Sequence, residues 1–88
     1  MKHLHPLTVF DGFPEPLGVS ISDGHINIAV LAPAASDLFW CAFDPFHVEL
    51  ARVRLPRQTE GIWHGAVALD ELCALPNMDG HHIYYGLR

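Results

Sequence analysis

Basic residues are scarce in this chain of 88 residues: five Lys and Arg stand against ten Asp and Glu, and the formal net charge is −5 at pH 7. Nucleic acids and anionic lipid surfaces are bound through stripes of basic side chains that contact phosphate groups. The sequence contains no such stripe. We therefore predict that neither a nucleic acid nor a membrane is a partner of this protein.

Long apolar runs and export signals are also missing. The longest uncharged apolar stretch, roughly residues 26–35, is half the length of the ~20 residues that cross a bilayer. Residues 1–6 lack the apolar region of a secretory signal. We expect a cytoplasmic protein, in which the two cysteines, Cys41 and Cys73, are free and partly buried thiols.

The sequence motifs of common catalytic sites are absent. There is no G-x-S-x-G elbow, no Gly-rich phosphate loop and no cysteine in a catalytic context. The seven histidines do not show the spacing of a zinc site. Most acidic residues, Asp44 among them, fall in predicted turns, where solvated carboxylates are common. We expect no catalytic residue, no metal and no cofactor.

Short strands are what the sequence predicts instead. Alternating apolar residues, separated by Gly, Pro, Asn and Asp, indicate six strands near residues 19–21, 26–31, 38–43, 48–55, 62–69 and 83–87. A single helical turn with Asp70 as N-cap is predicted at residues 70–75. This pattern is typical of an all-β, immunoglobulin-like antiparallel β-sandwich. Residues 1–11 are expected to form a loosely attached arm, and residues 12–88 the domain.

Two of these strands carry more detailed predictions. Residues 38–43 are apolar on both faces, which indicates a strand in the centre of its sheet, with Trp40 in the core. In residues 48–55 the apolar positions change phase between Leu50 and Ala51. A β-bulge near residues 49–51 would restore one continuous core face.

Aromatic side chains are the best candidates for ligand binding, because sugar rings stack on exposed Trp and Tyr faces. Trp63 follows a predicted turn, and Tyr84 lies in the last predicted strand. Trp63 shares its phase with Val67 and Leu69, so packing in the core is the alternative for this side chain. We name Trp63 and Tyr84 as candidate carbohydrate-binding residues.

Four segments occur in a recognisable order: GFPEPLG at residues 12–18, DGHINIAVLAPAASDLFWCAFD at 23–44, GIWHG at 61–65 and YYGLR at 84–88. Together they resemble the N-terminal module of bacterial glycogen debranching enzymes and isoamylases, a group related to family 48 carbohydrate-binding modules. In that family the segments read G-x-P-x-P-L-G, D-G-x-N-F-A-V-F-A-P-x-A, W-H and Y-G-Y-R. The resemblance covers nearly the whole chain.

The resemblance implies an immunoglobulin-like β-sandwich joined to a catalytic (β/α)8 barrel that hydrolyses α-1,6-glucosidic branch points in glycogen-like α-glucans. A barrel needs about 250 residues, so this chain would be the non-catalytic part, and its last strand is expected to mark a domain boundary. Two roles stay open: packing against the barrel, or binding an α-glucan such as glycogen or starch. The module of a branching enzyme or a trehalohydrolase is a third possibility.

Overall fold

Two antiparallel sheets make up the fold in a computed structural model of the chain, which describes residues 4–78 and 84–88. The larger sheet contains β1 (Val9–Phe10), β2 (Gly18–Ser22), β3 (His25–Leu31), β6 (Arg57–Thr59) and β7 (Ile62–Ala68), and the smaller sheet contains β4 (Phe39–Phe43), β5 (Glu49–Arg54) and β8 (Tyr84–Leu87). The strand orders are β1-β7-β3-β2, with β6 also paired to β7, and β5-β4-β8. The prediction of an all-β chain is confirmed.

Both sheets contribute to one hydrophobic core. Ile26 and Ile28 of β3 and Val67 of β7 belong to the same cluster as Trp40 of β4 and Val53 of β5. Trp40 is fully buried, as predicted, and β4 lies between β5 and β8, which confirms that it is a central strand. Each buried aliphatic side chain of this kind stabilises the fold by about 1.5–3 kcal/mol.

Two turns of two residues set the register of the larger sheet. Asp23 and Gly24 join β2 to β3, and Glu60 and Gly61 join β6 to β7, with φ angles of 50°, 73°, 51° and 82°. A type I′ turn needs positive φ at both central residues, and its twist matches that of the flanking strands. The sequence predicts the first turn, but the three residues of β6 are too few to show a pattern.

The predicted bulge is present in β5. Ala42 pairs with Ala51 and Phe43 pairs with Glu49, so Leu50 is an extra residue in the ladder. Leu50 and Ala51 are therefore both buried, whereas Glu49 reaches the outer face of the smaller sheet, where it contacts Arg52. The bulge reconciles the two apolar phases of this strand.

Residues 4–11, which the sequence assigns to a loose arm, cross from one sheet to the other. The His5 N–H donates to the Leu50 carbonyl at 2.7 Å, Leu7 packs against the core, and β1 pairs with β7. The chain also crosses between the sheets on this side where β5 is followed by β6. We call this the closed side of the molecule.

One helix occurs within the described residues, α1 (Leu69–Cys73), which follows β7 directly. Its N-cap is Ala68, which makes no side-chain capping bond, so the prediction that Asp70 caps the helix is wrong. Asp70 lies instead in the first turn, where its charge interacts favourably with the positive end of the helix dipole. This helix, the one found in residues 4–78 and 84–88, is not long and apolar enough to cross a membrane.

Candidate functional site

Trp63, the first candidate from the sequence, lies in β7 and is 7% exposed. Its indole N–H donates to the Ala32 carbonyl at 3.1 Å, and it belongs to the core cluster. Its ring therefore offers little surface to a sugar in this conformation. The structure places Trp63 where the packing alternative puts it, and a carbohydrate-binding role for this residue stays a prediction.

Tyr84, the second candidate, lies at the start of β8 opposite Phe43 of β4 and is 43% exposed. Together with Phe43, His47 and Tyr85 it lines a hollow of about 470 Å³. We call this the aromatic hollow. Aromatic rings beside a few polar groups are the usual lining of a small-ligand site. Sequence reasoning missed Phe43 and His47, because no signal in the sequence shows that β4 pairs with β8 in the register that brings Phe43 opposite Tyr84.

Asp44 shapes the loop that carries His47. Its Oδ1 accepts hydrogen bonds from the N–H groups of Phe46 at 2.8 Å and Val48 at 3.0 Å, while Asn77 donates to Oδ2 at 3.4 Å. These bonds, above all the one from Val48, hold the pKa of Asp44 below its usual range. The expectation of a solvated turn acid is wrong here, because Asp44 is buried and organises the turn.

Segments that carry the family resemblance contact one another on the outer face of the larger sheet. Asn27 Oδ1 accepts a hydrogen bond from the Phe13 N–H at 2.7 Å, and Asn27 Nδ2 donates to the Phe13 carbonyl at 3.0 Å. The Asn27 amide group thus pairs with the backbone of residue 13 as a neighbouring strand would, and both its oxygen and its nitrogen are already hydrogen-bonded. Gly12 has a φ of 65°, and a Cβ there would lie 2.6 Å from both Asn27 Oδ1 and the Gly65 carbonyl carbon.

His64 links the same segments from the other direction. Its Nδ1 lies 2.7 Å from the Asp11 carbonyl oxygen, and its Nε2 lies 2.8 Å from Thr59 Oγ1. Since both ring nitrogens are engaged and the ring is buried, His64 acts as a structural link. Within the part of the chain that the structure describes, no group of three or more His, Cys, Asp or Glu could hold a metal. His81 and His82 lie outside that part.

Both cysteines are free thiols, as the sequence predicts. Cys41 is buried in β4, and burial, followed by its hydrogen bond to Glu49, raises the pKa of its thiol. A thiol that stays protonated is a poor nucleophile. Cys41 is therefore a packing residue.

The side of the molecule that carries β2 and β8 is open. Val19 and Ile21 of β2 pair with buried core residues of β3, yet they are exposed, Ile21 at 62%. Tyr85 and Leu87 of β8 are exposed in the same way, Tyr85 at 51%. These four side chains lie on edge strands that have one neighbour each within the described residues. We call the apolar space that Val19 lines from one sheet, and Tyr85 and Leu87 from the other, the open cleft.

Buried residues of both sheets form the floor of the open cleft. Ile28 and Trp40 line this space, which has a volume of about 280 Å³. Tyr85 stacks on Trp40 with ring centroids 5.9 Å apart and an interplanar angle of 26°. The indole N–H of Trp40 is buried and finds no hydrogen-bond acceptor in the described structure. An unpaired buried donor costs about 1–3 kcal/mol, so the packing on this side is less complete.

A third hollow, of about 340 Å³, lies beside the segment around Gly12. Phe10, Phe13 and His25 contribute most of its ring surface, and His25 meets Phe10 edge to face at 4.9 Å. His25 Nδ1 is already within 2.9 Å of the Asp23 carbonyl oxygen. Ser22, Asp23 and Asn27 also line this hollow, but the Asn27 amide is already hydrogen-bonded to Phe13.

Comparison with protein-family models and with curated proteins finds no match for this chain. Its function must therefore be inferred from the residues and surfaces described above.

Proposed function

We propose that this chain is the non-catalytic N-terminal module of a glycogen debranching or isoamylase-type enzyme, with its two sheets arranged as an immunoglobulin-like β-sandwich. The mutual contacts of the motif segments support this proposal. Gly12 needs the space beside Gly65, and the Asn27 amide needs the backbone of Phe13. Residues that depend on one another in this way are expected to occur together, which gives a physical reason for the ordered motifs.

The open cleft is the observation that carries the module's role. It exposes apolar side chains along two edge strands, on Val19, Tyr85 and Leu87. Contiguous exposed apolar surface marks an interaction site, and covering it stabilises an interface by about 25 cal/mol per Å². We assign this cleft to the catalytic (β/α)8 barrel of the same polypeptide, which would hydrolyse α-1,6 branch points of glycogen-like α-glucans.

The polypeptide that contains the barrel provides the test. Val19→Asp should lower the melting temperature of that protein and its rate of branch-point hydrolysis, because Val19 lines the cleft and a charge there opposes apolar packing. Phe13→Asp is the control, since Phe13 is also an exposed apolar residue but lies on the outer face of the larger sheet. Equal effects of the two substitutions, or a reading frame that encodes no barrel, would refute the packing role.

A second role, α-glucan binding, is favoured by the aromatic hollow. Phe43 and Tyr84 provide ring surface there, and His47 adds a group that can form hydrogen bonds. The module of a branching enzyme or a trehalohydrolase could use either role.

Electrophoresis in gels that contain glycogen or amylopectin tests the second role. If the hollow binds glucan, the chain is retarded and Tyr84→Ala abolishes the retardation, whereas Phe13→Ala, an exposed aromatic control, preserves it. Trp63→Ala should be assessed only after its folding has been checked, since Trp63 belongs to the core. No retardation, together with no response to millimolar maltoheptaose, would refute glucan binding, and packing against the barrel would be the role that stands.

A further inference from the structure

Three of the five basic residues gather on the outer face of the smaller sheet. Arg52 and Arg54 of β5 lie opposite Cys41 and Phe39 of β4. Arg88, just after β8, pairs with Phe39 from the other side, through backbone hydrogen bonds of 3.1 and 3.0 Å. Directly opposite residues in a sheet have neighbouring side chains, so Phe39 is flanked by Arg54 and Arg88. We call the surface of Arg52, Arg54, Arg88 and Phe39 the arginine face.

The sign of charge on the arginine face is opposite to that of the rest of the molecule. Among the described residues one acid, Glu49, forms ion pairs with these arginines, whereas the whole chain carries ten acidic and five basic residues. Exposed charges are largely screened beyond about 8 Å at physiological ionic strength. A partner close to this face therefore interacts with a positive surface, even though the net charge of the chain is negative.

Glu49 orders part of the arginine face. Its carboxylate accepts hydrogen bonds from Arg52 Nε at 3.0 Å and Arg52 Nη2 at 2.9 Å, and Arg88 Nε lies 3.8 Å from Glu49 Oε2. Arg54 is exposed and forms no ion pair with any acid in residues 4–78 or 84–88. The face thus combines an ordered guanidinium group with one whose charge is not neutralised by any acid among the described residues.

The composition of this face suits a protein partner better than a small ligand. Small-ligand sites are concave, and the three hollows described above are lined without Arg52, Arg54 or Arg88. Arginine and aromatic residues are enriched at protein interfaces and often dominate their binding energy. A planar guanidinium group can bind a carboxylate through two parallel hydrogen bonds.

We infer that the arginine face is a docking surface for an acidic segment of a protein partner, whose Asp or Glu carboxylates bind Arg54 and Arg88 on either side of Phe39. This inference does not depend on the proposed function, because the open cleft and the aromatic hollow are formed by other residues. Binding through guanidinium–carboxylate pairs must weaken as salt is added.

Fluorescence anisotropy with a labelled oligoglutamate peptide tests the inference. The chain should bind the peptide, and Arg54→Ala should weaken this binding by about tenfold, as expected for the loss of a charge-assisted contact. Arg57→Ala is the control: Arg57 is also exposed, but it lies on β6 of the larger sheet, 3.3 Å from Asp11. Absence of binding at low ionic strength, or equal losses in the two variants, would overturn the inference.

Two competing occupants are distinguished by further measurements on the same variants. Tighter binding of an oligonucleotide with the same number of negative charges than of oligoglutamate would overturn the assignment to an acidic protein segment. Self-association in sedimentation velocity that Arg54→Glu abolishes would assign the face to a second copy of the chain, and would also overturn it. Shifts of the Phe39 and Cys41 amide resonances on addition of oligoglutamate, retained in Arg57→Ala and lost in Arg54→Ala, would support it.

Discussion

The hydrophobic core between the two sheets is covered differently on the closed side and on the open side of the molecule. On the closed side, residues 4–11 join the two sheets: His5 bonds to β5, Leu7 packs against the core, and β1 extends the larger sheet. On the open side, the edge strands β2 and β8 expose the apolar residues that face inward between the sheets. The chain itself covers the core on the closed side, whereas apolar side chains stay exposed on the open side.

Hydrogen bonding shows the same contrast. On the closed side, the N–H of Thr8 donates to Glu71 Oε1 at 2.6 Å, and the Leu50 carbonyl accepts a bond from His5. On the open side, the indole N–H of Trp40 lacks an acceptor within the described residues. Edge strands with free backbone groups readily pair with another strand. Intermolecular contacts are therefore expected on the open side, and stability determinants near residues 4–13.

The largest effect is expected at Gly12, where the segment turns onto the larger sheet. Gly12→Ala should lower the free energy of unfolding by about 3 kcal/mol, since the new Cβ meets Asn27 and Gly65 and the φ is positive. Gly24→Ala should cost only about 1 kcal/mol, because Gly24 has a similar φ but open space around it. Urea unfolding gives both values, and equal losses would contradict a tight contact at Gly12.

A smaller loss is expected from Asn27→Ala, which removes both bonds to Phe13. The backbone groups of Phe13 would lose their partners, and the free energy of unfolding should fall by about 2 kcal/mol. Hydrogen exchange at the Phe13 amide should accelerate in parallel. Ser22→Ala, at an exposed position of β2, should change stability by less than about 0.5 kcal/mol. An unchanged exchange rate in Asn27→Ala would show that this pairing does not hold the segment.

Lowering the pH should reduce the free energy of unfolding by less than Asn27→Ala does. Hydrogen bonds from Arg52, supported by the charges of Arg52 and Arg88, lower the pKa of Glu49 from 4.5 to about 2. Because the native carboxylate stays charged where the unfolded chain becomes protonated, its contribution is fully present above pH 4.5 and is lost as the pH falls toward 2. Glu49→Gln should cost about 1 kcal/mol at neutral pH and flatten this decline.

Urea unfolding on both sides of that pH window measures the effect. Part of the acid sensitivity should survive in Glu49→Gln, because hydrogen bonds also lower the pKa values of Asp44 and Glu71. A variant whose stability declines as steeply as that of the parent protein between pH 4.5 and 2 would show that Glu49 contributes nothing.

The smallest effect is expected on the open side. Ile21→Thr should change the stability of the isolated chain by less than about 0.5 kcal/mol, because Ile21 is mostly exposed. Ile26→Thr, at the residue paired with it across the ladder, should cost about 2 kcal/mol, since Ile26 is buried. Comparable losses at the two positions would mean that Ile21 is covered in solution.

Core strands could be predicted because their physical signals are local. Residues 38–43 are apolar on both faces, and the phase change at Leu50 predicts the bulge that the structure contains. Short strands carry no such signal: β1 has two residues and owes its position to pairing with β7. The N-cap prediction failed because an Asp before a helical pattern fits either the cap or the first turn.

The surfaces could not be predicted, because they depend on contacts between distant residues. Arg54 and Arg88 lie on either side of Phe39 because both pair with it, and the sequence alone does not fix that register. The role of Asp44 could have been suspected, since an Asp at the start of a turn often accepts bonds from N–H groups two and four residues later. Nothing local indicates that the Asn27 amide is occupied by Phe13.

The bulge also determines where β5 can change in length. Ala51 and Glu49 pair with Ala42 and Phe43 of β4, so Leu50, which lies between them, has no partner in the ladder. Deleting it would leave every other side chain on its present face, at the cost of one buried leucine and the attachment point of His5. Deleting a paired residue such as Arg52 would turn the residues on one side of the gap to the opposite face. Homologous chains should therefore vary in length by one residue at Leu50 more readily than elsewhere in β5.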